Sequence, residues 1–88
     1  MNVVIYGKPN CPWCDRAKAL VEGVEGITHE YVNIVEAGID GAKLSEMCGE
    51  KVQTVPQIFV DGQYNKHGFQ GLVPVVASHK ANLAKVAE

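Results

Sequence analysis

Long apolar runs are missing from this sequence. The longest stretches, such as Leu72 to Ala77, fall far short of the ~20 residues that span a bilayer, so no membrane-crossing helix is expected. Neither charge is in surplus: eight Lys and Arg against ten Asp and Glu give a formal net charge of -2, with nothing that asks for nucleic acid or an anionic membrane as partner. Met1 to Tyr6 lacks a basic start followed by a long apolar segment, which points to a soluble, cytoplasmic protein without a secretory signal. Cysteine is scarce as well. Three are an odd number and too few for a disulfide-stapled scaffold, so a pair spaced Cys-x-x-Cys has to be explained by reactivity or by metal binding. With 88 residues there is room for one domain, 1–88, and one modest core. A chain this short hides only about 60 to 65% of the surface it exposes when unfolded, so any site lies at the surface or in a shallow groove.

What is present alternates between strand and helix signals. Asn2 to Tyr6 is apolar and β-branched and ends at Gly7-Lys8-Pro9-Asn10, a cluster of loop formers, as a buried first strand delivering a loop would. From Pro12 the period changes: Ala17, Leu20, Val21 and Val24 share one helical face, up to glycines at Gly23 and Gly26. Thr28 to Val35 is expected as a second strand, parallel to the first because a crossover helix separates them. A shorter helix is predicted over Ile39 to Cys48, with Leu44, Met47 and Cys48 on one stripe and Gly49 as its stop. Ile58-Phe59-Val60, Asp61-Gly62 and Gln63 to Lys66 form a hairpin signal. The last helix places Leu72, Val75, Val76, His79, Leu83 and Val86 on one stripe, with Pro74 expected in its first turn. The order β-α-β-α-β-β-α predicts an α/β domain with a four-stranded mixed sheet and three helices packed on its faces.

Cys11-Pro12-Trp13-Cys14 carries the chemistry. Pro12 fits the first position of a helix, where its missing N–H would have had no partner, and this makes Cys11 the N-cap. A Cys11 thiolate would accept hydrogen bonds from free backbone N–H groups at the helix start, including that of Cys14, with Lys8 three residues upstream. Cys11 is therefore the expected nucleophile. Cys14, one turn into the helix and less exposed, is the expected resolving thiol. Half a zinc site is the main alternative: Cys11, Cys14 and Cys48 with His29, His67 or His79 could supply four donors, but no second Cys-x-x-Cys or His pair stands at ligand spacing. Cys48, beside Leu44 and Met47, reads as a buried inert thiol, and His79 as a histidine at the edge of the core. Trp13, beside a reactive sulfur, is expected to wall a substrate groove.

With this motif near the N-terminus and Thr54-Val55-Pro56-Gln57-Ile58-Phe59 just before the hairpin, the chain resembles the dithiol glutaredoxins of the thioredoxin-fold superfamily over nearly its whole length. The resemblance implies a sheet ordered 2-1-3-4 with strand 3 antiparallel to strand 1, and a cis peptide between Val55 and Pro56 beside the cysteines. It implies a glutathione-dependent enzyme with no bound cofactor or metal, acting as a monomer on protein disulfides and glutathione mixed disulfides, ribonucleotide reductase among the partners. Glutathione would pair with the backbone of Val55, with Lys8 close to its glycyl carboxylate, and the position matching Gln53 is also polar or basic in the family. The residues implied in substrate binding are Lys8, Pro12, Trp13, Gln53, Thr54, Val55, Pro56, Gly68, Phe69 and Gln70. After the hairpin the sequence departs from the family pattern: His67-Gly68-Phe69-Gln70-Gly71 keeps only the second of two glycines, and Gln70 replaces the acidic residue that pairs with the γ-glutamyl ammonium. That segment also looks like the Ser-Gly-Phe-Arg of glutaredoxin-like redoxins reduced by thioredoxin reductase, which keeps that reductant open. An iron-sulfur cluster carrier is a further alternative, against which stand Pro12 and the second cysteine.

Overall fold

A computed structural model describes residues 1–87, with side chains through Lys85. The chain runs β1 (Asn2–Gly7), α1 (Pro12–Val21), β2 (Thr28–Asn33), α2 (Gly41–Cys48), β3 (Gln57–Val60), β4 (Gln63–Asn65) and α3 (Gly68–Ala87). The four strands make one sheet in the order β2-β1-β3-β4. β1 pairs parallel with β2, Ile5 opposite Tyr31, and antiparallel with β3, Ile5 opposite Ile58. The three helices, the parallel β1–β2 pair and the β3–β4 hairpin are those expected from the residues, and the strand order with β3 antiparallel to β1 is the one the family resemblance implies.

Alternation along the strands sorts the two faces of the sheet. Val3, Ile5 and Ile58 point to one side, where they meet Ala17 and Val21 of α1 and Leu72 and Val76 of α3. All seven are at most 1% exposed, and burying each of the larger side chains contributes ~1.5–3 kcal/mol. On the other side Tyr6, Phe59 and Tyr64 form a row, with ring centroids 5.6 and 5.5 Å apart along it. Leu44 and Cys48 of α2 are buried but stand outside the first cluster, and the Cys48 thiol lies beside the Tyr64 hydroxyl. The core is therefore divided by the sheet.

Element boundaries follow local chemistry. Asp40 caps α2, its carboxylate accepting the Lys43 N–H at 2.8 Å, so that helix begins at Gly41 rather than Ile39; Gly49, at φ 76°, ends it as expected. β2 stops at Asn33 instead of Val35 because the Asn33 side chain accepts the Val35 and Glu36 N–H groups and turns the chain. β4 ends at Asn65 rather than Lys66.

The largest departure is at α3, which starts at Gly68, so Pro74 lies inside the helix and not in its first turn. The turn through His67 (φ 73°) and Gly68 (φ 52°) starts the helix early, with the Gly71 N–H already bonded to the His67 carbonyl at 3.2 Å. Pro74 then has no N–H for the Gln70 carbonyl. Both residues are exposed, so water can reach that oxygen. Val86, expected on the α3 stripe, has its side chain outside the described residues.

Candidate active site

β1 ends under the site. Gly7 is its last residue, and a Cβ there would overlap the Tyr31 hydroxyl and lie 3.1 Å from the Cys14 Cβ, so the strand can run this close to the cysteines only without a side chain. Tyr31 donates its hydroxyl to the Lys8 carbonyl at 3.5 Å, which steadies the loop from behind. Burial pushes the Tyr31 phenol up, and the charge of Asp15 adds to it.

Pro12 opens α1 and Cys11 caps it, with extended backbone angles of -116° and 100°. The Cys14 N–H donates to the Cys11 sulfur at 3.2 Å. The two cysteines are joined as a disulfide with Cα atoms 5.2 Å apart. Cys11 is 8% exposed and Cys14 fully buried, the difference in access that separate attacking and resolving roles require. In the reduced protein a Cys11 thiolate would keep the Cys14 N–H and gain the positive end of the helix.

A second segment, the turn before β3, approaches the sulfur at the same end of the sheet. The Val55–Pro56 peptide is cis, and the Val55 carbonyl oxygen lies 3.8 Å from the Cys11 sulfur. Among the described residues the Val55 N–H has no hydrogen-bond partner. From here a groove of about 540 Å³ extends away from the disulfide. It brings together Trp13, Gln53, Thr54, Val55, Pro56, Gly68, Phe69 and Gln70 of the residues expected from the sequence. Lys8 and Pro12 are exposed on the cysteine loop but do not line it.

Trp13 forms the wall next to the cysteines. It is 47% exposed, its ring 5.6 Å from that of Phe69, and the Arg16 guanidinium lies 4.5 Å over it, a cation–π contact that limits its swing. Gly68 joins this wall to the Val55 turn: at positive φ, its would-be Cβ lies 3.1 Å from the Pro56 carbonyl oxygen, so α3 starts against the turn.

Sequence reasoning missed the far wall, which is built by Glu50, Lys51, Val52, Tyr64 and Lys66, with His67 at its end. Lys66 and Glu50 are paired at 2.9 Å across it. The only available signal was the alternation of β4, which puts Tyr64 on the face opposite the main core. Burial pushes the Tyr64 phenol up to about 12, with Cys48 and Glu50 adding to the shift. Burial likewise raises the Cys48 thiol, keeping it protonated. His79 sits half-buried on α3 against the loop between α1 and β2, its Nε2 2.7 Å from the Glu25 carbonyl.

Among the described residues, no three His, Cys, Asp or Glu side chains converge as a metal-binding group, and the four donors of the zinc alternative are not assembled. No helix among them is long and apolar enough to cross a membrane.

Known proteins share this arrangement. The glutaredoxin family profile matches residues 3–64. A glutaredoxin of Haemophilus influenzae is 48% identical over 65 residues, 69% of this chain and 75% of that protein. Glutaredoxin 1 of Escherichia coli is 43% identical over 68 residues, 73% of this chain and 80% of that protein. The solution structure of reduced Escherichia coli glutaredoxin superposes with a TM-score of 0.76 at 38% identity, covering 89% of this chain and 95% of that one.

Proposed function

The chain belongs to the glutaredoxin family and is a thiol-disulfide oxidoreductase, and on that premise we propose that it is a glutathione-dependent enzyme working through two thiols of unequal role. The Cys11 thiolate attacks one sulfur of a substrate disulfide, the other sulfur leaves as a thiolate, and a mixed disulfide remains on Cys11. On a protein disulfide, the Cys14 thiolate then attacks the Cys11 sulfur and releases the second substrate thiol. The product is the Cys11–Cys14 disulfide seen in the structure. Two glutathione molecules return it to the dithiol, taking up the oxidation as glutathione disulfide. On a glutathione mixed disulfide, Cys11 takes the glutathionyl group and a second glutathione removes it, so Cys14 is dispensable. No bound cofactor takes part.

The observation that carries this reading is the Val55 backbone beside Cys11: an N–H with no partner among the described residues, and a carbonyl 3.8 Å from the nucleophilic sulfur. A cysteinyl unit laid there in extended form forms two backbone hydrogen bonds with its sulfur directed at Cys11. Gln53, Thr54, Pro56, Gly68, Phe69 and Gln70 then bound the rest of the tripeptide, and Lys8 and Pro12 flank the sulfur from the loop. The exposed Trp13 and the half-buried Phe69 offer apolar contact to larger disulfide substrates, a ribonucleotide reductase being one candidate. Such a cycle belongs in a reducing, cytoplasmic compartment and needs one chain only.

Turnover with glutathione and glutathione reductase, run beside turnover with thioredoxin reductase, tests the proposal. Reduction sustained by glutathione alone is the expected result; reduction only by thioredoxin reductase would reassign the electron source.

A further inference from the structure

Gln57 is the one buried polar side chain among the described residues, at 5% exposure, although it borders the groove. An amide so placed is tolerated only when both of its ends are bonded. Here they are. Nε2 donates to the Thr54 carbonyl at 2.8 Å, and Oε1 accepts the Tyr64 hydroxyl at 2.6 Å. The amide orientation follows from chemistry, because the Thr54 carbonyl can only accept and must face the NH2. Strand register supplies the second bond: Tyr64 stands opposite Phe59, so Gln57, two residues earlier on the same face, is its diagonal neighbour.

We propose that Gln57 and Tyr64 are positioning residues that brace the Thr54–Val55–Pro56 turn, holding the Val55 backbone where a substrate peptide can pair with it beside Cys11. The inference rests on the Val55-pairing reading of the site. The turn follows an irregular stretch from Gly49, and Gln57 reaches back over Val55 and Pro56 to grip it from the rigid side. Tyr64 in turn fixes the amide. Cys11 is held independently, by the start of α1 and the Cys14 N–H. Loosening the brace therefore weakens substrate capture and leaves the nucleophile as it was.

This separation defines the test. Tyr64→Phe removes only the hydroxyl, and Gln57→Glu keeps the acceptor for Tyr64 while losing the donor to Thr54. The substrate is the glutathione mixed disulfide of a cysteine-containing peptide, and alkylation of the reduced protein by iodoacetamide, a small reagent that does not pair with Val55, is followed in parallel. Each variant is expected to raise KM roughly 3- to 10-fold, the effect of one ordinary hydrogen bond. Its kcat and alkylation rate should stay within about twofold of the parent, since the lost contact acts on binding alone. The combined variant should be little worse than the worse single one, because both act through one chain of bonds. An unchanged KM in both variants overturns the brace, and so does a parallel fall of affinity, kcat and alkylation. Tyr64→Phe decides alone if Gln57→Glu does not fold. A parent that fails to turn over the glutathione mixed disulfide overturns the glutathione reading instead, and the same comparison with a peptide disulfide and dithiothreitol then decides the brace.

Discussion

The Cys11 sulfur and the Val55 carbonyl oxygen lie 3.8 Å apart across 44 residues of chain. They arrive from opposite directions, Cys11 from the loop after β1 and Val55 from the turn before β3, and the antiparallel pairing of those strands fixes their separation. The proposed chemistry depends on this meeting of a nucleophile with a backbone that can hold its substrate.

Cys11→Ser should abolish disulfide exchange, because no other thiol sits at a helix N-terminus. Cys14→Ser should still process glutathione mixed disulfides but fail on protein disulfides. Parallel assays on the two substrate types check this, and equal losses in Cys14→Ser would refute the division of roles.

Cys48 should be the last thiol to react. It is buried beside Tyr64, and burial raises its pKa, so its thiolate fraction at neutral pH is smaller than that of a free cysteine. Timed alkylation of the reduced protein with mass mapping should find Cys11 labelled first and Cys48 last. Early label on Cys48 would contradict its placement.

Gln70→Asp should lower the KM for glutathione by roughly 1.4- to 5-fold, the worth of an exposed ion pair of ~0.2–1 kcal/mol with the γ-glutamyl ammonium. Gln70 is exposed on the groove, away from the sulfur, so kcat should hardly change. Steady-state kinetics at low salt are the measurement; a raised KM would move the glutathione amino group elsewhere.

Gly68→Ala should destabilise the fold by at least ~1–2 kcal/mol, the cost of a left-handed conformation for an L-residue, since the new Cβ also presses on the Pro56 carbonyl. In a chain of this size that lowers the melting temperature by roughly 4–16 °C. Thermal denaturation followed by circular dichroism would show it, and an unchanged transition would mean the start of α3 is not pinned to the turn.

Stability should fall in alkali. Tyr6, Tyr31, Tyr64 and Cys48 all have folded-state pKa values raised by burial, Tyr64 to about 12. Above the ordinary values of 9 to 10 the unfolded chain loses these protons first, so stability present at neutral pH declines until the folded groups titrate as well. Denaturant melts between pH 8 and 12 should show the decline, with a shallower slope in Tyr64→Phe.

Much of this was legible in the sequence, for identifiable reasons. Pro12 after Cys11 announces a helix start, and the alternation of periods orders the elements. The cis bond at Pro56 came from resemblance to a family and not from the residues. What escaped were features set by tertiary context. Pro74 marks an early turn in most helices, but the contact of Gly68 with Pro56 starts this one about one turn before Leu72. Gln57 looks like any polar residue at a strand end, since its burial depends on Tyr64, seven positions away. The far wall of the groove is likewise invisible until β4 pairs with β3.

Gly7 and Tyr31 have a consequence for how the sequence can drift. A methyl group at position 7 meets the tyrosine hydroxyl on one side and the Cys14 Cβ on the other, so no single exchange at Gly7 can be absorbed by the site as it stands. A smaller residue at position 31 opens one of those sides. The two positions, diagonal neighbours on adjacent strands in space but separated in sequence by a whole helix, can therefore vary only in a set order, with the tyrosine yielding first.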